Sequence, residues 1–366
     1  MMNRNERDYN ESSVGNRKNK LINLAKMSLL SLALLLPLAG CGSNASSGGA
    51  SKEGNKDSGI QKLEIKLSHV ASDNTPKGLA ALKFKEIVEE KSAGKINVKV
   101  FPSGQLYGDN DEIEAVQAGN VQIIIPAAAK LSGFEETFEI FDLPFMFKNE
   151  EHLRAFEDGE AGEQLLATLD NHGMKGLAFW PNGFKHITNN KVAINEPKDL
   201  KSLKIRTHGG QIINEFYDAL GASSTKISFN ETYQALQLGT IDGQENSIVN
   251  IETQKYGEVQ NNLTITGHAR SEYAVVTNKQ WWDGLNKQTQ NLLTDAMKAA
   301  TEEGRNQVEK LETESMEKIK NEKKIKIVEL SDQDKEKFKQ ATKPVFDKWA
   351  KKMNQEILTK AIEAGN

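Results

Sequence analysis

The sequence contains one cysteine, Cys41, in 366 residues, so it cannot form a disulfide within the chain or a cysteine-based metal site. Its six histidines show none of the paired spacings that bind metal ions. It also lacks a Walker-type phosphate loop, a dinucleotide-binding fingerprint and a Gly-x-Ser-x-Gly nucleophile motif. The residues therefore predict no metal, no cofactor and no enzymatic activity.

Basic charge is scarce outside the N-terminus. The chain has a formal net charge of −4, but residues 1–40 contain six Lys or Arg and three acidic residues. Removing their net +3 leaves −7 on the rest of the chain. Nucleic-acid binding requires a basic surface, so an acidic body argues against it. An anionic ligand would have to be held by a local site, against the overall charge.

The apolar run from Met27 to Ala39 is too short to cross a bilayer, and a basic region precedes it. This pattern is typical of the core of a secretory signal. The run leads into Leu38-Ala39-Gly40-Cys41, which resembles a bacterial lipobox, whose cysteine receives a lipid. We predict a signal peptide over 1–40, lipidation at Cys41, a flexible tether over 41–61 and a location on the outer face of the cell membrane. The alternative is a plain signal peptide or an uncleaved anchor.

The length suits two domains of ordinary size, and 37% hydrophobic with 27% charged residues is typical of a globular protein. The first part of the body predicts strands and helices in alternation: a strand over 63–70, a helix from Pro76, a strand over 95–101, a helix over 109–118 and an apolar strand over 121–125. This order predicts parallel pairing in an α/β domain. The small residues Pro126–Ala129 follow the last strand, where open α/β sheets usually bind ligands.

The rest of the body repeats the pattern. We predict a helix over 149–172, a strand over 175–180, a crossover between lobes at Pro181-Asn182-Gly183, a strand ending at Arg206, helices over 210–220, 230–239 and 248–262, a strand over 271–277, a strand over 325–330 and a terminal helix. A helix from Asn286 to about Lys323 would span about 57 Å at 1.5 Å per residue. That length exceeds one domain, so we expect this helix to brace both lobes.

Two basic residues lie in contexts unlike an ordinary surface. Arg206 ends a short strand, on the face opposite the apolar Leu203 and Ile205, and its guanidinium matches the geometry of a carboxylate. The alternative for Arg206 is a structural ion pair. Lys185 follows the predicted crossover, where either lobe could present it to a cleft; the alternative is an ordinary exposed lysine.

Several longer motifs carry a resemblance to a known family. They are Gly94-Lys95-Ile96 with Phe101-Pro102-Ser103-Gly104-Gln105-Leu106, then Asp142-Leu143-Pro144-Phe145, Asn182-Gly183-Phe184-Lys185, Lys204-Ile205-Arg206, Phe229-Asn230-Glu231-Thr232-Tyr233-Gln234-Ala235-Leu236-Gln237 and Asp242-Gly243-Gln244-Glu245-Asn246. Together they resemble the substrate-binding proteins of TRAP (tripartite ATP-independent periplasmic) transporters, the DctP family, over about residues 63–350. The resemblance implies two α/β lobes with a hinge, a cleft that closes on an organic acid, and docking on two integral membrane subunits.

The resemblance also implies roles for individual residues. Arg206 matches the family arginine that pairs with the ligand carboxylate, and Asn246 and Phe229 match pocket positions in the same lobe. Lys185 stands where many members carry a second arginine, which keeps the charge but loses the bidentate fork. With the element pattern, the resemblance predicts a first lobe of 62–182 plus about 271–311, and a second of 183–270 plus about 312–366.

The region around Val70 and Ala127 lacks the polar and acidic residues of sialic-acid binders of this family, which favours a smaller ligand such as a C4-dicarboxylate. We therefore predict a monomeric extracytoplasmic receptor for a small organic acid. The alternatives are a receptor for a monocarboxylate or a sugar acid, a co-receptor for a membrane sensor kinase, and a lipoprotein enzyme that uses the same cleft.

Overall fold

The computed structural model describes residues 59–365. The predicted signal peptide (1–40), the lipidation site Cys41 and most of the predicted tether lie outside these residues. The described chain forms two β-sheets surrounded by helices, which confirms the predicted α/β class. The strands are β1 (Leu63–Ser68), β2 (Ile96–Phe101), β3 (Ile123–Ile124), β4 (Met174–Phe184), β5 (His186–Asn189), β6 (Lys204–Thr207), β7 (Ser223–Lys226), β8 (Gly243–Asn246), β9 (Asn262–Ile265), β10 (Arg270–Asn278) and β11 (Lys326–Glu329).

The first sheet has the order β2-β1-β3-β10-β4, and we call this sheet with its helices the first lobe. β1 pairs in parallel with β2 and β3, as the alternation of strands and helices predicts. β10 lies antiparallel to both β3 and β4. The apolar side chains of Ile65, Leu67 and Ile123 are buried in the core, which explains why these segments form strands.

The strand predicted over 175–180 does not end before Pro181-Asn182-Gly183, where the sequence predicts the crossover between lobes. β4 continues through all three residues to Phe184 and pairs with β10 along its length. A register shift in β10 lies opposite this stretch, and proline is tolerated in a strand at such an irregularity. Gly183 adopts φ +97°, which residues with a Cβ rarely adopt. Only Lys185 therefore separates β4 of the first sheet from β5 of the second.

A second connection between the lobes runs beside the first. β9 belongs to the second sheet and leads, after four residues, into β10 of the first sheet. The Lys185 N–H donates a hydrogen bond to the Ala269 carbonyl at 2.9 Å, which joins the two connections. The lobes are thus linked by a ribbon two strands wide.

The second sheet has the order β11-β9-β5-β8-β6-β7 and forms, with its helices, the second lobe. β6 ends near Arg206 as predicted and pairs in parallel with β7 and β8. Four strands, β5, β7, β8 and β9, were not predicted. β7 reads Ser-Ser-Thr-Lys and β8 reads Gly-Gln-Glu-Asn, so neither has the apolar pattern that marks a strand.

The helices are α1 (Pro76–Lys91), α2 (Glu112–Gln117), α3 (Glu150–Glu157), α4 (Glu160–Ala167), α5 (Gln211–Ala219), α6 (Thr232–Gln237), α7 (Ile248–Thr253), α8 (Lys279–Asp283), α9 (Lys287–Glu322), α10 (Asp332–Ala350) and α11 (Gln355–Glu363). The single helix predicted over 149–172 is wrong, because the chain breaks at Gly159, the N-cap of α4. The helix predicted over 248–262 is also too long. α7 ends at Thr253, and Lys255 then adopts a left-handed conformation that a helix cannot continue through.

The long helix α9 has 36 residues and spans about 54 Å at 1.5 Å per residue. Met297 and Ala300, in its first half, pack into the core of the first lobe with Phe84 of α1. Ile319, near its end, packs with Ile251 of α7 in the second lobe. The prediction that this helix braces both lobes is confirmed.

The C-terminal helices also reach both lobes. Phe338 of α10 packs with Ile205 in the core of the second lobe. Trp349, at the end of α10, and Ile357 of α11 pack with Leu165 in the core of the first. The predicted lobe boundaries, 62–182 plus 271–311 and 183–270 plus 312–366, remain a prediction. Among residues 59–365, no helix has the length and apolarity to cross a membrane.

Candidate ligand-binding site

One cleft is lined by all four residues that the sequence predicts to bind a ligand: Arg206, Lys185, Asn246 and Phe229. The free volume inside the cleft is about 50 Å³, several times the room that one buried water needs, so the cleft as it stands admits only a small molecule. The first lobe forms the wall of the cleft that faces the second lobe. This wall includes Ala127 and Ala129 of the predicted small-residue loop.

Arg206 is the cleft cation that lacks a counter-charge. It is 2% exposed, and its Nε donates to the Ile227 carbonyl oxygen at 2.9 Å. Its Nη2 is buried without a hydrogen-bond partner, and no carboxylate within residues 59–365 forms an ion pair with it. The predicted alternative, a structural ion pair, is therefore not what the described chain forms. A buried guanidinium without a partner is unfavourable, so the cleft is arranged to receive an anion here.

The backbone after Arg206 turns sharply to begin α5. Gly209 and Gly210 both have positive φ, +98° and +115°, which requires glycine or a strained residue. The Glu139 carboxylate accepts the N–H groups of Gln211 and Ile212 at 3.0 and 2.7 Å. These bonds satisfy the free donors at the start of α5 and fix the helix against a segment of the first lobe.

Asn246 ends β8, two residues after Gln244, which pairs with Arg206 of the neighbouring strand β6. Its Oδ1 accepts from Asn250 Nδ2 at 2.7 Å, and its Nδ2 donates to Gln244 Oε1 at 3.3 Å. These two hydrogen bonds hold the Asn246 side-chain amide in one orientation, with its Nδ2 directed towards the Gln244 side chain. Phe229 is buried, and its ring contributes an apolar surface to the same cleft.

Lys185 already has two partners. Its Nζ lies 2.6 Å from Asp142 Oδ1 and 3.1 Å from Glu245 Oε1, and all three side chains are buried. Burial alone would lower the pKa of Lys185, but Asp142 and Glu245 raise it above its usual value. His208 lies in the same group, with Nε2 3.0 Å from Asp142 Oδ2. A ligand carboxylate would meet a lysine that two carboxylates already neutralise, and the contact of Lys185 with a ligand stays a prediction.

The wall formed by the first lobe carries an ion pair that the sequence did not reveal. Lys130 Nζ lies 3.2 Å from Asp109 Oδ2, and both side chains are at least nine-tenths buried. Lys130 follows directly on the small-residue loop at the carboxyl end of β3, so its position relative to a strand end could have identified it. Asp109 lies in a loop without any such signal.

Two hydrogen bonds join the lobes across the cleft. The Phe229 N–H donates to Asp109 Oδ2 at 3.2 Å, and Asn230 Nδ2 donates to the Ser103 carbonyl oxygen at 3.1 Å. A Cβ on Gly104 would collide with the Asn230 side chain, so glycine is required for this contact. The structure is therefore in a closed conformation, in which the lobes touch at these points.

Arg270 also lines the cleft, and several carboxyl groups lie near it. Its Nη1 lies 2.6 Å from Glu150 Oε1, and its guanidinium stacks 4.2 Å from the Phe184 ring centre. Burial, followed by the charge of Glu157, raises the pKa of Glu272 well above its usual range. Burial likewise raises the pKa of Glu312 to about 7.

Groups of His, Cys, Asp or Glu side chains that could hold a metal ion do not occur in the part of the chain that the structure describes. The polar lining of the cleft consists of basic side chains, amides and carboxyl groups, and carboxylates pair with its two lysines. Within the described chain Arg206 is left without such a partner, so the lining can accept an anion at this residue.

Comparison with known proteins agrees with the fold and the cleft. Residues 67–352 match the family model of bacterial extracellular solute-binding proteins, family 7 (DctP). The chain belongs to this family, which the motifs in its sequence already indicated.

A curated relative is the C4-dicarboxylate-binding protein DctB of Bacillus subtilis, 42% identical over 253 residues, which are 69% of this chain and 72% of the relative. A solved TRAP periplasmic solute-binding protein from Shewanella oneidensis, with bound succinate, aligns with a TM-score of 0.81 and 34% identity, over 83% of this chain and 99% of that one. The sugar-acid-binding protein DctPAm of Advenella mimigardefordensis, in complex with galactonate, aligns with a TM-score of 0.81 and 30% identity, over 84% and 98%. Both structural alignments span the two lobes described above.

Proposed function

We propose that this protein is an extracytoplasmic receptor that binds a C4-dicarboxylate and delivers it to a TRAP-type secondary transporter. The observation that carries the proposal is the buried, uncompensated guanidinium of Arg206 in the cleft. A ligand carboxylate placed on its free Nη2 would remove the cost of leaving that charge unpaired. The relatives support the ligand class, since one is named for C4-dicarboxylates and one holds succinate.

In this proposal three residues act together on one end of the ligand. Arg206 pairs with the first carboxylate, Asn246 donates a hydrogen bond from its Nδ2, and the Phe229 ring packs against the carbon chain. Lys185 also lines the cleft and contributes positive charge there, while its ammonium group stays paired with Asp142 and Glu245. Closure excludes water, which strengthens each charged contact. Ligand contacts available only in the closed state shift the population towards it.

A sugar acid or a monocarboxylate is the second candidate ligand, because a relative with the same fold binds galactonate. Direct titration decides between them. Calorimetry of the purified protein with succinate, malate, fumarate, galactonate and butyrate should show tightest binding for a C4-dicarboxylate. Equal or tighter binding of galactonate or butyrate would replace the proposed ligand class. Recovery of unchanged succinate after prolonged incubation would agree with a receptor, whereas its conversion would indicate an enzyme.

Attachment to the membrane through a lipid on Cys41 belongs to the same proposal. Its support is the lipobox-like Leu38-Ala39-Gly40-Cys41 after a short apolar run. Cys41→Ser should move the protein from the membrane fraction of expressing cells to the soluble fraction. A wild-type protein found in the soluble fraction would contradict the anchor. Docking on two integral membrane subunits predicts that uptake of the ligand needs all three proteins together. This protein alone should bind the ligand but support no uptake.

A further inference from the structure

A dicarboxylate has two charged ends, and Arg206 accounts for one. The inference that follows rests on the proposed function and concerns the other end. Four cations line the cleft: Lys130, Lys185, Arg206 and Arg270. The residue that meets the distal carboxylate must be one of the three that remain, or else that end of the ligand keeps its charge without a partner.

Lys185 and Arg270 are already surrounded by carboxyl groups. Lys185 contacts both Asp142 and Glu245, so a third carboxylate would be repelled. Arg270 pairs with Glu150 and lies close enough to Glu312 for its charge to lower the pKa of that carboxyl. A carboxylate brought to Lys185 would enter a region where negative groups outnumber positive ones. Arg270 already pairs with Glu150, and the Phe184 ring covers its guanidinium.

Lys130 is in the opposite situation. Among residues 59–365, the carboxylate that forms an ion pair with it is Asp109, at 3.2 Å. Burial lowers the pKa of Lys130, Asp109 raises it, and the nearby charges of Lys226 and Arg206 lower it further. The charges that act on Lys130 in this part of the cleft are thus those of Asp109, Lys226 and Arg206, while burial raises the pKa of the nearby Glu112 to about 8. This is where the described lining has an excess of positive charge, and a second negative group would be attracted here.

The position of Lys130 suits a ligand that spans the lobes. Lys130 comes from the first lobe, directly after the small residues Ala127–Ala129, whereas Arg206 comes from the second lobe. Lys130 also lies where the cleft opens into a groove lined by Asn110, Gly209 and Lys226.

We propose that Lys130 binds the distal carboxylate of a dicarboxylate ligand, and that Asp109 competes with the ligand for the same ammonium group. A monocarboxylate leaves the Lys130–Asp109 pair intact and gains nothing from it. Asp109 keeps a second role throughout, since its Oδ2 accepts the Phe229 N–H across the cleft. The pair thus selects for a second negative charge on the ligand.

Opposite effects of two substitutions test this proposal. Succinate binding is measured by calorimetry for the purified wild type, Lys130→Met, Lys130→Arg and Asp109→Asn. Lys130→Met should weaken binding by at least about tenfold, and Lys130→Arg should recover most of that loss. Asp109→Asn should bind succinate as tightly as the wild type or more tightly, because asparagine still accepts the Phe229 N–H but no longer competes for Lys130. The unfolding midpoint of each ligand-free variant shows that it is folded.

A purely structural ion pair predicts a different result, since either substitution would then weaken binding by a similar factor. That outcome, or a loss below tenfold in Lys130→Met, would overturn the role of Lys130. The Arg206→Met variant separates this result from the proposed function. If the wild type binds succinate, Arg206→Met abolishes this binding and Lys130→Met leaves it unchanged, the proposed receptor function stands and the role of Lys130 is rejected. A wild type that binds no organic acid would reject the proposed function itself.

Discussion

Asp142 Oδ1 lies 2.6 Å from Lys185 Nζ, and this pair joins a segment of the first lobe to the residue at which the chain enters the second. Glu245 shares the same ammonium group at 3.1 Å. All three groups are buried, so each depends on the others for its charge to be tolerated.

Lys185→Met should therefore destabilise the ligand-free protein strongly. Removing the ammonium leaves two buried carboxylates facing each other, and breaking a buried pair typically costs ~3–5 kcal/mol. Chemical denaturation measures the change. The matched control is Lys191→Met, because Lys191 is largely exposed and its pair with Asp242 is longer, at 3.5 Å, so that its loss should cost below ~0.5 kcal/mol. Similar losses in both variants would show that the buried network does not depend on its lysine.

Arg206→Ala should lose ligand binding by at least about tenfold, because truncating one side of a desolvated charged contact typically costs ~2–5 kcal/mol. Arg206→Lys should also bind poorly, since an ammonium group lacks the planar fork. Calorimetry with succinate measures both. Lys204→Ala, on the same strand but exposed, should bind normally. Near-normal affinity in Arg206→Ala would remove the observation on which the proposed function depends.

Gly183→Ala should destabilise the protein for two separable reasons. Gly183 has φ +97°, and a Cβ there would collide with the Glu312 carboxylate on α9. Backbone strain of this kind costs about 1–3 kcal/mol. The double variant Gly183→Ala/Glu312→Ala removes the collision and keeps the strain, so it should lose less than the sum of the single variants in chemical denaturation. Additive losses would indicate that the two residues do not touch.

The pH dependence of stability should depend on Glu312. Burial raises its pKa from 4.5 to about 7, so the folded protein keeps a proton on this carboxyl that the unfolded chain releases. The contribution of Glu312 to stability therefore falls as pH rises from about 4.5 to about 7. Glu312→Gln stays neutral, and denaturation between about pH 5 and about pH 8 should show a smaller loss of stability than in the wild type.

The quantity compared is the slope of the unfolding free energy against pH in the wild type and in Glu312→Gln. The contributions of other titrating groups, including the neighbouring Glu150, are common to both proteins and cancel. Glu309→Gln is the control, because Glu309 lies about one turn earlier on α9 and is exposed. Its pH slope should match that of the wild type. Equal slopes for the wild type and Glu312→Gln would mean that Glu312 is ionised in the folded protein.

Elements with a clear apolar period could be predicted from the sequence. The parallel strands β1 to β3 follow such patterns, whereas the helix α1 was identified by Pro76 at its start and the long helix α9 by its uninterrupted run. β8 could not be predicted, because its Gln244, Glu245 and Asn246 are polar and become buried only by pairing with residues distant in sequence. Local pattern carries no information about such partners.

The same reason limited the prediction of the site. Arg206 stood out because an arginine at the end of an apolar strand is unusual, and the structure places it unpaired in the cleft. Lys185 lacked any local signal of the two carboxylates that neutralise it, since Asp142 and Glu245 lie 43 and 60 residues away. The Asp109–Lys130 pair was missed because it joins a loop to the turn after β3.

The two-stranded connection between the lobes has a mechanical consequence. A hydrogen-bonded ribbon bends across its flat face more readily than it shears within its plane, because shear would break the ladder whereas bending spreads over several backbone dihedrals. The Lys185 to Ala269 bond lies within this ribbon. The ribbon should therefore favour an opening motion in which it bends, constrained further by α9 and the C-terminal helices, and closing restores the contact between Ser103 and Asn230. Side chains inside the cleft can then change, and with them the molecule that is recognised, while the motion stays the same.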